Sequence, residues 1–393
     1  MIRSRCGSCR AENLLTFLDL GSSPLADAFP ASPDEHQERY PLRLAVCEAC
    51  WLVQLLDVVP DADLYNDHYG FYAGASPSSI AYFADYAAWV LERYGDRVEK
   101  GLTVEIASND GVLLRHFHDR GRAVGVEPAA NVAQVALDAG MDVIVKPFSR
   151  AVAAEIIAES GYADLIIANN VVAHVSDLDD FLGGIDTLLR SDGVAIIEVQ
   201  YVADLLAGNQ FDHVYHEHRF YYSLTSLASA LARHGLSIVS HIETPAQGGS
   251  IRVVVEHGSL RAVVPGEAWL LRHSAYGGVQ GRVERLRDRL LSLIRGEREA
   301  GRKVAGYAAS AKSTTLLNFC KIGPDLLSHI LDVTPYKIGR YAPGTGIPIV
   351  GESDADTFVL MAWNYLPGVL RRERSFIDRG GRFIVPIPQP VLL

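Results

Sequence analysis

Residues 102–128 read LTVEIASNDGVLLRHFHDRGRAVGVEP. An apolar run of strand length, Leu102–Ser108, leads into a segment with helical apolar spacing. A second apolar run, Ala123–Pro128, follows. Strand, helix and strand in that order make one β-α-β crossover. The alternation continues through a helix at 131–140, a strand at 141–148, a helix at 151–161 and a strand with its loop at 163–175. A helix at 177–193 and a strand at 194–201 complete it. The pattern predicts an α/β fold, a doubly wound parallel sheet with helices on both faces.

Upstream, residues 80–95 (IAYFADYAAWVLERYG) have helical spacing, and 65–79 read as a Gly- and Ser-rich linker. Downstream come a helix and strand at 226–239, a strand at 250–257 and a charged helical stretch at 266–301. A second alternating unit starts at Lys303, with KVAGYAAS, AKSTTLLNFC, LSHILDVTP and FIVPIP. The expected domains are therefore 1–65, 66–245 and 246–393, the last a second, smaller α/β unit. The length of 393 residues suits two or three domains.

Hydrophobic residues at 49% supply enough apolar surface for cores, which excludes general disorder. A net charge of −11 without a basic stripe argues against nucleic acid as a partner. The polar start MIRSRCGSCRAENLL is not a secretory signal, and no apolar run approaches the roughly 18–20 residues of a membrane span. A cytoplasmic protein without a membrane partner is expected, and the sequence leaves its oligomeric state open.

Four of the five cysteines form two C-x-x-C pairs, Cys6/Cys9 and Cys47/Cys50. Two such knuckles complete a tetrahedral Cys₄ zinc site. Because all four ligands come from protein, the site is structural, and it supports a segment too small to build its own core. The competing readings are four unrelated buried cysteines or a nucleic-acid finger, and Asp34–Arg43 carries no basic stripe for the latter.

The loop after the first strand holds a single glycine, Gly111, and Asp110 there would repel a phosphate. That disfavours a dinucleotide, which uses G-x-G-x-x-G. The second strand ends in Glu127-Pro128, where an acid is placed to bind ribose hydroxyls; the alternative is that Glu127 faces solvent. A ribose site without a phosphate site suits S-adenosylmethionine. The candidate contacts are Ala107, Asn109, Asp110, Gly111, Glu127 and Pro128, with Asn169 and Asn170 facing the methionine end.

With these elements in place, the chain resembles the bacterial sugar C-methyltransferases of deoxysugar biosynthesis over essentially its whole length. The resemblance rests on LGSSPLADAFP with the four cysteines, CEACWLVQL, VEIASNDGVLL, VGVEPAANVA, NNVVAHV, FDHVYHEHRFYYS, GGSIRV, GYAASAKSTTLLN and LDVTPYKIGRYAPGTGIPIV. It implies a zinc-binding head, a central S-adenosylmethionine domain and a C-terminal Rossmann-like domain. It also implies methylation of a carbon, commonly carbon 3, beside the ketone of a nucleotide-linked 4-keto-6-deoxysugar, with dTDP the expected nucleotide. Asp27, Gln200 and Gly346 stand where asparagine, proline and histidine are usual, departures that bear on sugar specificity.

Methylation beside a ketone needs a base for the α-proton, donors for the enolate oxygen and a methyl group held in line. The resemblance implies that Tyr215, Glu217 and His218 line the active site. His218 is assigned as base, with Glu217 orienting it or sharing the role; which of the two takes the proton stays open. His174 is placed to bind the ketone, and Tyr69 or Tyr72 to close the pocket and donate a hydrogen bond to the developing oxyanion. Metal chelation by His213, His216 and His218 is a further reading of the same stretch.

Gly306–Thr315 is like a P-loop but has Ala311 at the second glycine, so a nucleoside triphosphatase is not expected. Ser310, Lys312 and Ser313 favour a diphosphate, within the resemblance that of the sugar nucleotide. The alternative is a plain helix cap at Ser310 with a solvated Lys312. Asp332 would meet a ribose or start a turn. The sequence thus points to a C-methyltransferase, against an O- or N-methyltransferase or an inert binding module.

Overall fold

The computed structural model describes residues 2–64, 70–258 and 264–393. The N-terminal strands β1 (Leu14–Pro24), β2 (Arg39–Cys47) and β3 (Val53–Leu55) form an antiparallel sheet. Further along the chain, Leu102–Ile106, Arg122–Val126, Asp142–Ile144, Ala163–Asn169 and Leu189–Gln200 are β4 to β8. They run parallel in the order β8-β7-β4-β5-β6, with the switch point between β4 and β7. Every residue of β4 is buried, as expected for a strand covered on both faces.

The helix expected after β4 shrinks to Arg115–His118. Ala107, Asn109 and Gly111 adopt positive φ (57°, 51° and 75°), and the Asp110 carboxylate accepts from Val112 N at 3.3 Å. Loop turns thus consume residues that apolar spacing assigns to the helix.

The short strand β9 (Phe220–Tyr221) follows the Tyr215–His218 element directly, yet it belongs to the N-terminal sheet. Tyr221 pairs with Val53 and Phe220 with Gln54. The small head therefore borrows an aromatic strand to complete its sheet.

The central sheet runs past the second expected boundary. Strands β10 (Leu236–Thr244) and β11 (Ser250–His257) pair with each other, and β11 pairs antiparallel with β8, Val253 opposite Ile197. The expected break at 245/246 falls between two strands of one seven-stranded sheet, which runs on to His257. The helix expected across 266–301 spans Val279–Glu299 and buries Val283, Leu286, Leu290 and Ile294. Ahead of it, buried Glu267 accepts from Tyr201 Oη and from the amides of Leu224 and Thr225, capping helix Leu224–Ala232.

The C-terminal sheet holds β12 (Val304–Tyr307), β13 (Ile330–Leu331), β14 (Ile349–Val350), β15 (Thr357–Leu360), β16 (Arg382–Val385) and β17 (Val391–Leu392). Their order is β14-β13-β12-β15-β16-β17, parallel except for β17, with a switch point between β12 and β15. Helix Ala311–Cys320 leaves that point and is wedged among all three parts. Thr314 Oγ1 donates to Ala26 O, and Thr315 Oγ1 to Val214 O, each at 2.8 Å. One apolar core runs from Leu18 and Leu55 through Phe211 and Leu227 to Val304 and Leu317. Among the described residues no helix is long and apolar enough to cross a membrane.

Candidate active site

The loop after β4 wraps the end of β5. Glu127 is buried and accepts from Asn109 N at 3.0 Å and Ala129 N at 2.9 Å, which leaves each carboxylate oxygen a second lone pair for a hydroxyl donor. It does not face solvent. Burial raises its pKa, and the nearby Glu105 is raised further, its neighbours including Glu127 and Asp110. Three carboxyl groups crowd one loop, and that crowding disfavours a phosphate there. Asn169 and Asn170 sit at the end of β7, where Asn170 turns at φ 52° and its amide nitrogen donates to Glu198 O at 2.8 Å.

A strap, residues 70–76, closes over this loop. Ala73 N donates to Asn109 Oδ1 at 2.7 Å, Gly74 N to Asp110 Oδ2 at 2.8 Å, and Asn109 Nδ2 to Phe71 O at 3.1 Å. A Cβ at Gly74 would lie 2.8 Å from Asp110 Oδ2, so the close approach depends on glycine. Tyr72 Oη accepts from Asn131 Nδ2 at 3.1 Å, a bond that ties Tyr72 to the helix that starts just after Glu127. Tyr69 lies outside the described residues. Tyr336, from the C-terminal part, donates to Gly70 O at 3.2 Å.

The histidines of 213–218 diverge. His216 packs edge-on against Tyr40, and its Nε2 bonds Pro41 O at 3.2 Å. Buried His213 meets the Trp363 ring edge-on at 5.9 Å. His218 alone faces the ends of the parallel strands, its ring 4.9 Å from His174. Among the described residues the three do not form a metal-binding group.

His218 Nδ1 lies 2.9 Å from His213 O, and a carbonyl can only accept, so Nδ1 carries the proton. Nε2 is then the basic nitrogen, and it accepts from Tyr215 Oη at 2.8 Å. Burial, with His174 beside it, holds the His218 pKa well below the usual imidazole range, while burial brings His174 to about 4. The orienting role expected of Glu217 therefore falls to the His213 carbonyl and Tyr215. Buried Glu217 has an oxygen, Oε2, without a partner among the described residues. Burial first, then the Asp27 charge, pushes its pKa up to about 8.

Ser310 is the N-cap of helix Ala311–Cys320, accepting from Ser313 N at 3.4 Å, and Ala309 N and Thr334 N both donate to Asp332. Lys312 is buried rather than solvated. Its ammonium bonds Asn364 and lies 5.5 Å over the Trp363 ring. Burial lowers it to about 8, opposed by Asp212, a buried carboxyl itself raised to about 6. Trp363 Nε1 donates to Asp212 Oδ2 at 2.6 Å. The switch point of the C-terminal sheet therefore opens towards the His213–His218 turn.

At the head, the Sγ atoms of Cys6, Cys9, Cys47 and Cys50 lie within 4.8 Å of one another. Cys6–Cys50 is 3.6 Å and Cys9–Cys47 3.5 Å. Tetrahedral zinc with bonds of about 2.3 Å spaces its sulfurs by about 3.8 Å, so the four thiols fit that ion.

The chain is 36% identical over 403 residues to the C-methyltransferase NovU of Streptomyces niveus, covering 98% of this chain and 96% of that protein. It belongs to the C-methyltransferase family. Within this C-methyltransferase, residues 6–65 match a zinc binding domain, 81–241 a methyltransferase domain and 245–388 the C-methyltransferase C-terminal domain. The 1,6-didemethyltoxoflavin-N1-methyltransferase of Burkholderia thailandensis is 18% identical, with a TM-score of 0.36, covering 46% of this chain and 80% of that one. For magnesium protoporphyrin IX methyltransferase of Synechocystis the identity is 11% and the TM-score 0.35, covering 49% and 88%.

The enzyme uses S-adenosylmethionine, and its head binds zinc through the four cysteines. Sequence reasoning missed three contributors to the site. Asn131 lies inside a quoted motif but carries no signal of its own. Tyr336 and the Asp212–Trp363 pair acquire meaning only when distant parts of the chain meet.

Proposed function

We propose that the enzyme methylates carbon 3 of a dTDP-linked 4-keto-6-deoxysugar through an enolate. His218 Nε2 takes the proton α to the ketone, and the electron pair of that C–H bond moves onto the ketone oxygen. The Tyr215 hydroxyl, which holds the single Nε2 lone pair in the resting enzyme, turns its O–H away as the α-proton arrives, and its oxygen then accepts from the imidazolium that forms. Glu217, neutral at physiological pH, donates to the developing oxyanion, and His174 binds the same oxygen. Bound S-adenosylmethionine supplies an electrophilic methyl group on a sulfonium, to which the enolate carbon bonds as the sulfur–carbon bond breaks. Glu127 holds the ribose, and Ala107, Asn109, Asp110, Gly111, Pro128, Asn169 and Asn170 enclose the rest of the cofactor. Ser310, Ser313 and Lys312 hold the diphosphate at the start of their helix.

The observation that carries this reading is the His213 O–His218–Tyr215 arrangement, which keeps a neutral imidazole with its basic nitrogen on the Tyr215 hydroxyl and its ring beside His174. The test incubates the enzyme with dTDP-linked 4-keto-6-deoxysugars in deuterium oxide without cofactor. Exchange at carbon 3, and a gain of one methyl by mass spectrometry once cofactor is added, are expected. A methylated product without exchange, bearing its methyl on oxygen or nitrogen, overturns the enolate route.

A further inference from the structure

We infer that Thr315, on the C-terminal helix, is a positioning residue for His218, fixing the turn whose carbonyl selects the histidine's tautomer. The inference rests on the proposal that His218 is the base. A threonine inside a helix commonly donates to a carbonyl of its own preceding turn. Here the hydroxyl of buried Thr315 leaves its helix and donates to Val214 O at 2.8 Å. Val214 adjoins His213, whose carbonyl takes the Nδ1 proton of His218 at 2.9 Å and the Tyr221 hydroxyl at 3.4 Å.

The same turn, Phe211–His213, is gripped twice more from the C-terminal side. Trp363 Nε1 donates to Asp212 Oδ2 at 2.6 Å, and the Phe319 ring meets Phe211 edge-on at 5.1 Å. The helix that opens the presumptive diphosphate site of the proposed function thus also braces the proton-transfer site. If the turn slackens, His213 O swings off Nδ1 and the proton can move to Nε2. That tautomer has no lone pair facing Tyr215 and cannot take the α-proton.

Thr315→Val keeps the shape and removes the donor, whereas Thr315→Ser keeps the donor. The tautomer is read by ¹⁵N NMR of histidine-labelled enzyme, with His218 assigned by its loss in His218→Asn. Turnover is read with a dTDP-linked 4-keto-6-deoxysugar. Wild type and Thr315→Ser are expected to show Nδ1–H alone, and Thr315→Val a mixture. In Thr315→Val, kcat should fall about tenfold with both KM values within about twofold, and Thr315→Ser should recover most of the loss. An unmoved tautomer, or a raised KM at unchanged kcat, overturns the inference. A shifted tautomer with unchanged kcat leaves the positioning standing and sinks His218 as base. Should Thr315→Val not fold, Trp363→Phe releases the turn from its other side and is read in the same way.

Discussion

Glu217→Gln isolates one buried proton. Burial and the Asp27 charge lift the Glu217 carboxyl from an ordinary 4.5 to about 8. Between those values the folded chain holds a proton that the unfolded chain has released, so wild-type stability falls as pH rises through the window. The slope is about 1.4 kcal/mol per pH unit, and the full span is on the order of 5 kcal/mol. Glutamine copies the neutral carboxyl and does not titrate. Relative to wild type, Glu217→Gln should therefore match at pH 4.5, gain stability steadily to about pH 8 and level off beyond it. Urea midpoints followed by tryptophan fluorescence at half-unit intervals measure the gap. Asp27→Asn, which removes the neighbouring charge, should lower the pH at which the gap levels off. A gap that stays constant between pH 5 and 8 would mean that Glu217 is ionised in the fold, and its role as proton donor to the oxyanion would fall with it.

Other outcomes follow from the same geometry. Tyr215→Phe removes the hydroxyl on His218 Nε2 and should lower kcat by at least about tenfold, with KM for S-adenosylmethionine nearly unchanged; unchanged kcat in steady-state kinetics would remove Tyr215 from the mechanism. Asn109→Ala loses two bonds to the strap and puts alanine at φ 51°, so it should weaken S-adenosylmethionine binding by about tenfold in calorimetry and lower the melting temperature by a few degrees. Metal analysis should find one zinc per chain, and a strong chelator should lower the melting temperature and abolish turnover; a chelator without effect would count against a structural ion. Arg252→Ala leaves Glu198 buried without the guanidinium now 2.8 Å away and should cost about 3–5 kcal/mol in chemical denaturation.

Local pattern carries much of this molecule. The strand β4 is read locally from Leu102, Val104 and Ile106, whereas the burial of Thr103 and Glu105 between them appears only in the assembled sheet. The cysteine pairs are equally plain, since two knuckles that share an ion must converge. What the sequence hides is long range. Ser250–His257 reads as a strand, but nothing local says that it pairs with β8 rather than opening a new domain. The motif 215–218 promises chemistry without saying that Tyr215, and not Glu217, meets His218. That depends on how the turn at His213 directs the next carbonyl. Lys312 has the composition of a phosphate loop, yet burial against Trp363 and Asn364 appears only in the assembled fold.

The pairing of Phe220–Tyr221 with the head has a consequence during synthesis on the ribosome. The first three strands and all four cysteines emerge early, while the fourth strand waits until most of the methyltransferase sheet has been translated. The head can gather its metal as soon as Cys50 is out, but it cannot close its sheet. Recombination near residue 65 would likewise separate a sheet from its last strand. The sheet of the head is therefore completed together with the catalytic segment, not ahead of it.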